Sequence, residues 1–290
     1  MLTAVLIAPP GGLDPALPDA LRNAWGGAEI RWLSPDEAAE FDIAARPKEW
    51  ETHWAELQAL GVDLVLVPSQ GRRKKMLLAD MDSTMIEQEC IDELAALAGV
   101  GDAVKEITAQ AMNGELDFEQ ALEERVSLLR GVPETIIDEV LQKRISNTPG
   151  GATLIATMKA NGAYAALVSG GFTAFTEQVA QALGFDENRA NTLLTQNGSF
   201  TGQVGRPILG QAAKVEALEQ ITRRLGLAEQ DVIAVGDGAN DLGMLGRAGL
   251  GVALHAKPVV AARCDVRINH GDLTALLFVQ GYAASEFVRP

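Results

Sequence analysis

Two aspartates, Asp80 and Asp82, stand one residue apart directly after a short apolar run in LLADMDSTMIEQEC, and Ser83 and Thr84 follow at once. Residues two apart in an extended chain point to the same side. One carboxylate could then attack phosphorus, provided the charge of the phosphate is offset, while the other protonates a leaving oxygen and afterwards activates water. The backbone N–H groups that follow and the Ser83 hydroxyl could cradle phosphate oxygens. Taken alone, the D-x-D pattern leaves an acidic surface turn and a calcium loop open as well. Three other places carry matching chemistry. VSGG offers the Ser169 hydroxyl, with glycines that let a backbone approach an anion closely. Lys214, in QAAKVEALEQI, opens a helical pattern and could supply fixed positive charge. GDGAND holds Asp237 and Asp241 among glycines, and hard oxygen donors of this kind suit magnesium, which takes a few carboxylates plus water and substrate phosphate. Each also has a plain reading: a Gly-rich turn, a solvated helix lysine, an acidic loop.

The elements that must position these residues follow a strand-then-helix pattern. KMLLAD, YAALVSGG and DVIAVGDG are short apolar runs ending in small or acidic residues, and helical patterns follow the second and third. This predicts an α/β fold with a Rossmann-like parallel sheet core and helices on both faces. Ligands of such sheets bind beyond the carboxyl ends of the strands, where Asp80, Ser169 and Asp237 all fall. Between the first two strands, four amphipathic segments over about 87–148 exceed a simple crossover and predict an inserted helical cap above the crevice. Asn197-Gly198 between apolar-rich runs predicts a hairpin. Residues 1–70 read as a separate small α+β unit in the order β-α-β-β-α-β, the ferredoxin-like arrangement, followed by the basic break QGRRKK and a core over 71–290. No cluster of acid, base and nucleophile occurs in that N-terminal unit.

Bulk properties narrow the function. The 290 residues are 47% hydrophobic and 22% charged, enough to bury a proper core, and the formal charge of −15 repels nucleic acid and anionic membranes. The two cysteines, Cys90 and Cys264, give neither a disulfide framework nor zinc spacing. No apolar run is long enough to span a membrane, and the N-terminus lacks a signal pattern, so a cytoplasmic setting is expected.

In order and spacing, Asp80-Met81-Asp82-Ser83-Thr84, Ser169, Lys214 and Gly236-Asp237-Gly238-Ala239-Asn240-Asp241 resemble the four motifs of haloacid dehalogenase-type phosphatases. The resemblance implies that Asp80 is the nucleophile, forming an aspartyl-phosphate, and Asp82 the general acid and then base. It implies that Ser169, Gly170, Lys214 and Asn240 hold the phosphate. Magnesium would be held by Asp80, the Asp82 carbonyl and Asp237, with Asp241 in support. The cap pattern, with Glu89, Met112, Phe118 and Arg125, is similar to that of members acting on O-phospho-L-serine. Glu89 would meet the ammonium and Arg125 the carboxylate, Met112 and Phe118 would exclude water, and Gly170 and Gly171 would add backbone contacts. Two other readings stay open: the same chemistry on another small phosphorylated metabolite, and a regulatory amino-acid-binding protein on this scaffold. The resemblance covers roughly Lys74 to the C-terminus. The N-terminal unit only loosely suggests an ACT-like domain, expected to regulate the protein or to form a homodimer.

Overall fold

The computed structural model describes residues 1–112 and 115–290, and at Met112 the backbone alone; the expectation for the Met112 side chain lies outside the described residues. The first unit runs β1 (Leu2–Ile7), α1 (Ala16–Trp25), β2 (Arg31–Ser34), β3 (Ala38–Ile43), α2 (Trp50–Ala59) and β4 (Asp63–Pro68). Its strands pair antiparallel in the order β2-β3-β1-β4. LTAVLI and DLVLVP are nearly continuous apolar runs, as strands covered on both faces must be. Ala4, Leu6 and Leu64 pack with Phe41 against Leu21, Trp50 and Leu57 of the unit's own helices. Val5, Ile7, Val65 and Val67 face the other way and join the main core of the second unit.

That second unit is built on a six-stranded sheet in the order β12-β11-β10-β5-β6-β7, every pair parallel. Its strands are β5 (Met76–Ala79), β6 (Tyr164–Phe172), β7 (Glu187–Asn191), β10 (Val232–Gly236), β11 (Leu250–Leu254) and β12 (Val266–Ile268). One face is covered by α7 (Gly151–Ala160), α8 (Thr173–Leu183) and α12 (Ala275–Val279), through Leu154, Met158, Phe175 and Leu276. On the other lie α9 (Gln211–Leu225), α10 (Leu242–Arg247) and α11 (Pro258–Ala261), through Ala217, Leu218, Met244 and Val260. Central β5 lies between β10 and β6, with Ala79 opposite both Val235 and Leu167. The residues that follow these three strands therefore meet at one edge of the sheet.

Four helices intervene between β5 and α7: α3 (Cys90–Leu97), α4 (Gly101–Met112), α5 (Phe118–Ser127) and α6 (Ile136–Lys143). Asp117 starts α5 through a capping box, its side chain accepting from the Gln120 N–H at 2.9 Å while Gln120 returns a bond to the Asp117 N–H. The chain enters and leaves this cap through adjacent segments, joined by the Ile86–Asn147 bridge, Glu87 N–H to Ser146 O (3.0 Å) and Thr148 N–H to Met85 O (3.0 Å). The hairpin β8 (Leu193–Gln196) and β9 (Ser199–Val204) turns on Asn197 and Gly198, with φ of 52° and 76°, the paired left-handed conformation that Asn-Gly favours. It packs on the cap: Gly131 N–H donates to Phe200 O and Phe200 N–H to Val132 O, both at 2.9 Å.

Candidate active site

Asp80 leaves the end of β5 and is buried, with its N–H donating to Val235 O at 3.1 Å. Its Oδ1 accepts from the Met81 N–H (2.8 Å) and pairs with Lys214 Nζ (2.7 Å). Lys214 is 1% exposed and reaches in from the first turn of α9, where Nζ also pairs with Asp241 Oδ1 at 2.6 Å. Burial alone would lower the ammonium's pKa, but the charges of Asp80 and Asp241 outweigh it and raise the value. The lysine is therefore a fixed cation beside the Asp80 carboxylate.

Asp237 and Asp241 come from the loop after β10. Asp241 is fully buried and its Oδ2 accepts from the Gly238 N–H at 3.0 Å. A Cβ on Gly236 would collide with the Asp241 carboxyl, so this strand end needs glycine. Asp237 accepts from Thr84 Oγ1 at 3.2 Å and lies 3.6 Å from Lys257 Nζ. Carboxylate oxygens of Asp80, Asp237 and Asp241 lie within 4.8 Å of one another. Burial, then the neighbouring charge of Asp80, pushes Asp237 up to about 6 and Asp241 up to about 7. The three buried carboxylates share the Lys214 ammonium and the half-exposed Lys257, and their mutual repulsion is what a bound cation would relieve. The donor set is all oxygen, and ligands around a magnesium ion at about 2.1 Å stand about 3–4 Å apart, so small side-chain rotations close these oxygens on one. The residues fit a hard divalent cation.

The carboxyl of Asp82 points away from that cluster. It accepts from the Cys90 N–H (3.0 Å) and from Ser169 Oγ (3.4 Å). Burial, followed by the charge of Glu89, pushes it up to about 7, so it holds a proton near neutrality as an acid for a leaving group must. Ser169 is buried within β6, just past Val168, where the pairing with β7 shifts, and its Oγ accepts from the Gly171 N–H at 2.8 Å. A Cβ on Gly171 would lie 2.7 Å from Asp82 Oδ2, which shows how closely the two segments meet. Asn240 is half-buried beside Gly238, at the rim of the loop.

From the cap, Phe118 lays its ring over Gly170 and Gly210, each of whose hypothetical Cβ atoms would stand 3.2 Å from it. Arg125 is half-buried, and its one hydrogen bond among the described residues runs from Nε to the Ala121 carbonyl of its own helix (3.0 Å). Burial lowers its pKa, while the charges of Asp92, Glu89 and Asp82 oppose the drop. Among the described residues its remaining N–H groups have no ion-pair partner within 4 Å. Glu89 accepts from Ser83 Oγ at 2.9 Å, so the Ser83 hydroxyl is turned toward the cap rather than toward a phosphate. Ser83 itself has a φ of 54°, a left-handed backbone unusual for serine.

The fold thus gathers Asp80, Asp82, Ser169, Gly170, Gly171, Lys214, Asp237, Asn240 and Asp241 at one sheet edge and brings Glu89, Phe118 and Arg125 over it. Two participants carry no sequence signal of their own. Lys257 stands far along the chain in a loop after β11. Asn191 is buried and donates to Gly170 O (2.8 Å) and Leu209 O (3.1 Å), tying the serine loop to the approach of α9.

A parallel sheet with carboxylates and a buried lysine at its carboxyl edge, roofed by an inserted helical cap, defines a capped α/β hydrolase. The chain belongs to the haloacid dehalogenase-like hydrolase family, whose pattern matches residues 77–246. It is 42% identical over 226 residues to a phosphoserine phosphatase of Archaeoglobus fulgidus, covering 77% of this chain and 65% of that one. The chain therefore spans somewhat less than two thirds of that relative's length. Among solved structures, a haloacid dehalogenase family hydrolase of Salmonella enterica serovar Typhi superposes with a TM-score of 0.87 at 30% identity, over 96% of this chain and 98% of that one. A probable phosphoserine phosphatase of Vibrio cholerae superposes with a TM-score of 0.80 at 34% identity, over 98% and 88%.

Proposed function

We propose that the chain is a magnesium-dependent phosphoserine phosphatase, releasing phosphate from O-phospho-L-serine through an aspartyl-phosphate on Asp80. The observation that carries this reading is the contrast between two carboxylates two residues apart. Asp80 Oδ1 lies 2.7 Å from the Lys214 ammonium, placed to attack, while Asp82 is pushed up to about 7 and fit to donate a proton. Asp80 Oδ attacks phosphorus as Asp82 passes its proton to the serine oxygen. Asp82, now a base, takes a proton from the water that cleaves the aspartyl-phosphate. Ser169, the Gly170 backbone, Lys214 and Asn240 hold the phosphate oxygens. Asp80, the Asp82 carbonyl and Asp237, with Asp241 behind, would hold magnesium, whose positive charge would let a carboxylate approach a phosphate dianion.

The serine moiety brings an ammonium and a carboxylate. Glu89 and the guanidinium of Arg125 supply one group for each, and Phe118 closes the space against water. The relatives named as phosphoserine phosphatases support this substrate. Phosphate release from a panel of small phosphorylated metabolites, with magnesium and with chelator, tests the reading. Phosphoserine should be preferred and activity should vanish on chelation. An equal or better kcat/KM on a sugar phosphate would remove the amino-acid assignment.

A further inference from the structure

Asp63 opens β4 in the N-terminal unit and is fully buried, yet no lysine or arginine pairs with it among the described residues. Its carboxylate instead accepts backbone N–H groups of the second unit: Asn269 to Oδ1 at 2.8 Å, and His270 and Gly271 to Oδ2 at 3.0 and 2.9 Å. The Asn269 side chain donates from Nδ2 to Gln58 Oε1 at 2.7 Å, and Gln58 Nε2 donates to Asp63 Oδ1 at 3.4 Å. Three backbone N–H groups converge on one buried side chain and keep their bonds only while that backbone holds its shape, so this contact fixes the 269–271 backbone.

From that backbone a chain of contacts leads to the acidic cluster. The Gly271 carbonyl accepts from the His255 ring at 2.9 Å, and the His255 N–H donates to Ile268 O at 2.8 Å. His255 has a φ of 44°, a left-handed conformation that a non-glycine residue keeps only when its surroundings impose it. Two residues on, the Lys257 N–H donates to the Asp237 carbonyl at 3.1 Å and its Nζ stands 3.6 Å from Asp237 Oδ2. A branch of the same loop reaches the cap's exit, where the Leu273 N–H donates to Pro149 O at 3.1 Å.

We infer that the N-terminal unit is a brace for the metal site, with Asp63 a positioning residue that sets Asp237 through the 269–271 and 255–257 segments. This rests on the reading of Asp80, Asp237 and Asp241 as the metal-holding set. In Asp63→Asn one carboxylate oxygen becomes an N–H donor facing backbone N–H groups, which must swing away.

The test is calorimetric titration of magnesium into the full chain, which does not depend on which phosphate is cleaved. Asp63→Asn should weaken magnesium binding about fivefold or more, on the scale seen when groups behind metal ligands are altered. His255→Ala, which leaves the Asp63 bonds intact, should do the same. Arg72→Met is the contrast: Arg72 pairs with Glu40 and donates to the Phe278 and Val279 carbonyls, tying the two units together away from the 269–271 loop. It should lower Tm yet leave the affinity within about twofold of wild type. Unchanged affinity in Asp63→Asn and His255→Ala, or equal weakening in Arg72→Met, overturns the brace. A wild-type chain that binds no magnesium overturns the metal-site reading itself, and the brace with it.

Discussion

Replacing Asp237 by asparagine should stabilise the metal-free protein while removing its response to magnesium. The carboxyl moves from 3.8 unfolded to about 6 folded, so holding it ionised in the fold costs about 3 kcal/mol at pH 8. Asparagine keeps an oxygen for the Thr84 hydroxyl, and the attraction of Lys257 is already contained in the folded value of about 6. The net gain is therefore about 3 kcal/mol, or roughly 6–12 °C in Tm. Because the folded value is raised, the wild type loses stability as pH climbs from about 4 through about 6, and the variant lacks that slope. At pH 5 its advantage should therefore fall to about half. With magnesium about 100-fold above its dissociation constant, the wild type recovers about 2.7 kcal/mol and the variant little, so the order closes or reverses. Thermal melts in chelator and in magnesium, at pH 5 and pH 8, read all four states. A variant no more stable than wild type in chelator at pH 8, or equally advantaged at both pH values, would refute the account of Asp237 as a buried charge awaiting a cation.

Asp80→Asn should abolish turnover with the fold retained; turnover that persists contradicts the nucleophile. Arg125→Ala should raise KM for phosphoserine roughly 10–100-fold, the range of a lost charge-assisted hydrogen bond, with a much smaller change for a phosphate lacking a carboxylate. In metal-free protein, carbon-detected NMR should find Asp82 titrating near 7, and Glu89→Gln should lower that midpoint because the Glu89 charge helps to raise it. A midpoint unmoved by the substitution would show that burial acts alone. Gly236→Ala drives a methyl into the Asp241 carboxyl and should cost about 1–3 kcal/mol, together with the magnesium-dependent rise in Tm.

What could be read from the chain beforehand was whatever local chemistry announces. The apolar runs MLLA and VIAVG ending in aspartate mark β5 and β10, Asn197-Gly198 marks its turn, and the amphipathic periods of α3 to α6 mark the cap. The sheet's outer strands were silent for physical reasons. β7 reads ENRAN, an edge strand with too few apolar residues to alternate, and β12 is only three residues long. Lys257 and Asn191 give no local sign of taking part, because their meaning lies in partners far along the chain. The Ser83 hydroxyl went to Glu89 because its left-handed backbone turns it there, which no propensity of serine foretells.

The hairpin β8–β9 has a consequence for how the cap opens. Its strands leave the core after β7 and return before α9, yet they are hydrogen-bonded to the cap, and Arg206 beyond them pairs with Glu119 and Glu123 on α5. The roof is thus fastened on two sides, by the 85–88 and 146–148 segments on one and by the hairpin's stems on the other. A lid hinged along one side can swing wide; one moored at both can only tilt. Any opening of the cap therefore carries the hairpin with it or breaks the bonds of Phe200 to Gly131 and Val132.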